Sequence, residues 1–93
     1  MKNIEKEMLK AFNNRQDFKG TNTRVINNNG VTYVYLFDDL IATKDYSGNI
    51  KYTLAGWNTV TTRSRLNALG CNVSSKNGIS YRDGKPRYSD FDN

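Results

Sequence analysis

The chain has 93 residues, a net charge of +5, 37% hydrophobic and 25% charged side chains. That length supports one domain, 1–93, with one modest core, and the composition is globular rather than disordered. No apolar run of about 18 residues occurs, which excludes a membrane-spanning helix, and the start of the chain alternates charge through its apolar positions, unlike a secretory leader.

Residues 3–13 read as a helix. Ile4, Met8, Ala11 and Phe12 recur at i, i+4, i+7 and i+8 and form one apolar stripe. Asn3 is the expected N-cap, with Glu5 and Glu7 in the favourable first turn. Asn13-Asn14 ends this helix, and residues 15–21 read as a loop.

A β-meander follows. Thr23–Ile26 and Val31–Leu36 flank Asn28-Asn29-Gly30, a strong hairpin signal. Asp38-Asp39 turns the chain into Leu40–Lys44, and Ser47-Gly48-Asn49 turns it into Ile50–Leu54. In that last strand Ile50, Tyr52 and Leu54 alternate with Lys51 and Thr53, as in a sheet covered on one face. Tyr33 and Tyr35 share one face of their strand, and Val34 and Leu36 share the other. Which of the two is covered stays open. An uncovered Tyr33-Tyr35 strip would suit nucleic-acid stacking or a protein partner.

A second, short helix is expected at about 62–69, with Thr61 or Thr62 as N-cap and Gly70 as a left-handed stop. Leu66 and Leu69 form its apolar stripe, Arg63 and Arg65 border it, and Ser64, Asn67 and Ala68 face away. Asn77-Gly78 and Asp83-Gly84-Lys85 then shape a C-terminal hairpin through Ile79–Tyr81 to Arg87-Tyr88, followed by a polar tail. The expected architecture is α+β: an N-terminal helix, a four-stranded antiparallel meander, a short second helix and a C-terminal β-hairpin.

Two features carry functional expectations. Arg63 and Arg65 fall in the expected first turn of the second helix, where free N–H groups and the dipole disfavour a cation unless an anion binds. Together with Thr59, Thr61 and Thr62 they would hold a phosphate or carboxylate, and Asn67 would read a base edge or a carbonyl. The competing reading is plain N-capping, with Arg65 paired to Asp38, Asp39 or Asp45 and Asn67 solvated or bonded to a nearby loop. The second feature is charge distribution: residues 58–88 hold Arg63, Arg65, Lys76, Arg82, Lys85 and Arg87 against Asp83 alone. On the hairpin, Lys76, Arg82, Lys85 and Arg87 interleave with Tyr81 and Tyr88, a pattern suited to a nucleic-acid backbone. A solvated edge protected by its charges is the alternative. Trp57 is expected to roof the core against the first helix; exposed, it would anchor a partner or stack on a base.

Histidine is absent and Cys71 is the one cysteine. That removes Ser–His and Cys–His nucleophiles, an intrachain disulfide and the usual zinc ligand set, so no enzyme, metal or cofactor is expected.

The run Gly56-Trp57-x-Thr59-x-Thr61-Thr62-x-x-Arg65-Leu66-Asn67-Ala68, preceded by Val34-Tyr35-Leu36 and Leu40-Ile41-Ala42, resembles a family of small, mostly uncharacterised tailed-phage proteins. The resemblance covers residues 22–69 and leaves the first helix and last hairpin outside. It implies a phage accessory protein in the cytoplasm of an infected bacterium. Three functions follow as expectations. The first is a stoichiometric inhibitor of a host defence complex, anti-CRISPR-like, whose partner is a host protein or nucleoprotein complex. The second is a small basic DNA- or RNA-binding protein, and the third a structural or assembly module, whose sign would be a stable homo-oligomer such as a homodimer. No membrane partner is expected.

Overall fold

The computed structural model describes residues 1–87. Helix α1 (Asn3–Asn14) leads into strands β1 (Phe18–Lys19), β2 (Thr23–Asn28), β3 (Val31–Leu36), β4 (Asp39–Lys44) and β5 (Ile50–Tyr52). Helix α2 (Val60–Ala68) follows, then β6 (Val73–Lys76), β7 (Ile79–Arg82) and β8 (Lys85–Arg87). The α+β class stands, with two antiparallel sheets: β1-β2-β3-β4-β5 and β6-β7-β8. Strands β1 and β6 were not expected. Tyr88 and the polar tail lie outside the described residues.

Both helices lie on one face of the larger sheet. Met8, Ala11 and Phe12 of α1 and Leu66 of α2 are buried with Val25, Val34, Leu36, Ala42, Tyr52 and Leu54. The pairing of β3 with β4 shifts between Val34 and Tyr35. Such a bulge breaks alternation, and the neighbours Ile41 and Ala42 are both buried. On β3, Val34 and Leu36 are the covered pair, while Tyr33 and Tyr35 face outward and are half-buried.

Basic side chains lock the periphery. Arg15, left-handed at φ 52° just past α1, donates to the carbonyls of Gly30 (2.8 Å) and Asp45 (2.6 Å), tying the helix to two sheet turns. The Lys44 ammonium donates to the Phe12 carbonyl and sits 4.5 Å from the Phe12 ring centroid. Burial, with the Arg15 charge nearby, holds the Lys44 pKa below its ordinary value. Tyr52 donates its hydroxyl proton to the Leu69 carbonyl at 3.0 Å, joining β5 to the end of α2.

Helix α2 begins earlier than expected. Its N-cap is Thr59, whose hydroxyl accepts from the Thr62 N–H at 3.1 Å, so neither Thr61 nor Thr62 caps it. The expected stop at Gly70 holds: φ is 107°, the Gly70 N–H reaches the Asn67 carbonyl, and the Cys71 N–H reaches that of Leu66. That double closure is a Schellman motif. At the other helix, Lys2 rather than Asn3 is the N-cap, and its N–H donates to Glu5 at 3.1 Å.

Candidate partner-binding site

The two arginines proposed for an anion site do not converge on the start of α2. Because the helix begins at Val60, Arg63 is its fourth residue and Arg65 lies in its last turn, where the dipole favours a cation. Arg63 donates to the Asn58 side chain at 2.5 Å. Arg65 is buried and forms an ion pair with Glu5 at 2.9 Å; it also donates to Thr23 at 2.9 Å and Asn22 at 3.3 Å. Its partner is therefore Glu5 of α1, not Asp38, Asp39 or Asp45. Ser64, expected to face away, donates to the same carboxylate. Burial alone raises the Glu5 pKa, but the bonds from Ser64, the Lys2 N–H and Arg65, with the Arg65 charge, outweigh it and hold the carboxyl below the usual range.

Asn67 also serves the fold. Its side chain donates to the Val73 carbonyl at 2.9 Å and accepts from the Val73 N–H at 2.7 Å, clamping α2 to β6. Asn67→Ala is expected to cost about 1–3 kcal/mol, since both Val73 backbone groups lose their partner. Urea unfolding measures that loss, and faster hydrogen exchange at the Val73 amide locates it.

On the hairpin, register splits the basic set. Lys76 shares a face with Tyr81, while Arg82 pairs with Lys85 on the opposite face. Lys76 and Lys85 are exposed, Tyr81 is half-buried, and the Arg82 guanidinium stacks 5.3 Å from the Tyr52 ring centroid. Arg87 is placed by its backbone alone, opposite Ser80.

What the start of α2 does build is an apolar cleft. Ala55 (φ 54°) and Gly56 (φ 82°) are consecutive left-handed residues, and the Trp57 N–H closes the turn onto the Leu54 carbonyl at 2.9 Å. This is the geometry of a type I′ turn. It throws Trp57 outward, leaving it 58% exposed, rather than onto the core. Across from it, the β3–β4 turn holds Phe37 at φ 56° and 67% exposed. A left-handed backbone is unfavourable for a bulky residue. Between the two rings lies a hollow of about 450 Å³. One wall is Leu36, Phe37, Asp39 and Ile41; the other is Leu54, Trp57, Thr59, Thr61 and Thr62. The three threonines expected at a binding site do line one, but beside Trp57 and Phe37 rather than beside two arginines. Phe37 was not singled out in the sequence, and Asp39 was read as a turn residue and a candidate partner of Arg65. A large aromatic between the predicted strand end at Leu36 and the predicted Asp38-Asp39 turn was the available signal.

The family model for the Kyanoviridae Gp96 protein matches residues 1–93. The chain belongs to this phage protein family. The match takes in α1 and the last hairpin, so the family likeness does not stop at residues 22–69. No curated protein and no solved structure matches the chain. Among the described residues, no helix is long and apolar enough to cross a membrane.

Proposed function

We propose that this protein is a non-catalytic phage accessory protein that binds one host protein stoichiometrically in the cytoplasm of the infected bacterium. The role we assign is inhibition of a host defence complex, in the anti-CRISPR manner. The observation that carries the binding reading is the apolar cleft with Phe37 and Trp57 on its rim. Exposed aromatics beside an apolar hollow are the anatomy of a protein–protein hot spot. Both rings are presented by left-handed turns, so their exposure is built into the backbone. Asp39 in the lining suits a partner that brings a cation beside its apolar anchor. Membership of a phage family supports the infected cell as the setting.

The test pairs the native chain with a Phe37→Gly/Trp57→Ala variant as baits for a host lysate. The captured protein is then purified and titrated by calorimetry. The expected result is one host protein bound at 1:1 by the native chain and not by the variant, with its defence activity suppressed on binding. Equal capture by both baits, or a native homodimer that the variant dissolves, overturns the reading.

A further inference from the structure

We propose that the face of the five-stranded sheet left open among the described residues is a platform for single-stranded nucleic acid, a site other than the apolar cleft that Trp57 lines. Register sets the residues of this face in two rows. One runs Lys51, Thr43, Tyr33, Ile26 across β5 to β2; the other runs Leu40, Tyr35, Arg24, Lys19 across β4 to β1. With Asn28 and Val31 these complete the outward positions of the paired strands, and none carries a carboxylate. Asp38 on the β3–β4 turn lines a hollow with Lys19, Arg24 and Phe37.

Three observations point to an anionic, ring-bearing ligand. Lys19 and Arg24 stand directly opposite each other across β1 and β2, both exposed. Like charges at such positions are destabilising unless an anion answers them. Second, the Arg24 guanidinium already lies 5.6 Å from the Tyr35 ring centroid, so cation and ring form one prearranged unit. Third, Tyr33 and Tyr35 share this face of the central strand, between Lys51 on one flank and Lys19 with Arg24 on the other. The span from β5 to β1 is four inter-strand spacings, about 19 Å at 4.8 Å each, or roughly five or six nucleotides at the 3.4 Å stacked rise. Bases stacked on tyrosines with phosphates on flanking cations is the sequence-tolerant mode of single-strand binding.

Fluorescence anisotropy with labelled oligo-dT, oligo-U and a duplex, at low and high salt, tests this. Binding of both single strands at roughly micromolar Kd is expected, weakening with a log–log salt slope of about −2 for three phosphate contacts. Tyr33→Ala and Tyr35→Ala should each weaken it about 5- to 150-fold. Tyr33→Phe and Tyr35→Phe keep the ring and should bind nearly as the native chain does, which separates lost stacking from a lost fold. The Lys19→Gln/Arg24→Gln/Lys51→Gln variant should flatten the salt slope, while Lys76→Gln/Lys85→Gln leaves binding unchanged. Several results overturn the proposal: no binding at low salt, tighter binding to the duplex, loss of binding on the hairpin substitutions alone, or self-association through this face. Phe37 borders both sites, whereas Trp57 lines the cleft and not the hollow beside Lys19 and Arg24; the Trp57→Ala variant should therefore bind oligonucleotide normally, so this platform and the cleft succeed or fail independently.

Discussion

Arg65→Ala is expected to cost about 3–5 kcal/mol, because it leaves the Glu5 carboxylate buried without its cation. Glu5 and Arg65 lie 60 residues apart in sequence and are both almost fully enclosed. Their contact fastens α1 to α2, and through Thr23 and Asn22 fastens both helices to the start of β2. Urea unfolding followed by far-ultraviolet circular dichroism measures the loss; a loss under about 1 kcal/mol would show that the pair does not join the helices. Glu5→Leu with Arg65→Met should recover much of the stability, since an apolar pair of similar volume avoids burying charge. The same carboxylate sets an acid limit. The folded-state pKa of Glu5 lies below its ordinary 4.5. Its stabilising contribution is therefore complete above that ordinary value and is lost as pH falls through the lower folded one. Asp17, held down mainly by Asn27, and Asp45, held down mainly by the Asn49 N–H, act in the same direction. Glu5→Gln should remove its share of the acid dependence and leave theirs.

Local pattern accounts for what the sequence disclosed. The stripe Met8, Ala11 and Phe12 predicted α1 because a helix repeats every 3.6 residues, and Asn-Gly and Asp-Asp turns predicted the meander. Strand β1 offers two residues and strand β6 a single apolar side chain, Val73, so neither shows an alternation to read. The start of α2 was placed too late because the cap was read at Thr61 or Thr62, while Thr59 is a competent cap by the same chemistry; its use moved Arg63 and Arg65 along the helix and removed the reason for an anion between them. Glu5 was read as a first-turn acid, yet it falls on the same helical face as Met8 and Phe12. Its burial depends on Arg65, a partner that local pattern does not reveal. The basic excess of residues 58–88 was visible as composition, but Arg65 is neutralised inside and Arg82 rests on Tyr52. Charge in the sequence is thus a poor guide to charge on the surface, and the cationic face that assembles draws on Lys19, Arg24 and Lys51 from elsewhere in the chain.

Phe37→Gly/Trp57→Ala should abolish partner binding while leaving the fold intact. Hot-spot truncations each cost about 2 kcal/mol or more, so the pair should weaken binding by about 4 kcal/mol, roughly three orders of magnitude. Stability should move the other way or not at all. Both rings are more than half exposed, so little core contact is lost. At Phe37, glycine adopts the observed left-handed backbone without the penalty that phenylalanine bears, a gain of up to about 1 kcal/mol offset by the greater freedom of the unfolded chain. Calorimetric titration of the captured partner reads the first effect and urea unfolding the second. A variant that binds weakly because it has unfolded would place Phe37 and Trp57 in the fold. One that is as stable as the native chain and fails to bind would mean that an unfavourable turn conformation is retained at Phe37 for the contact it offers.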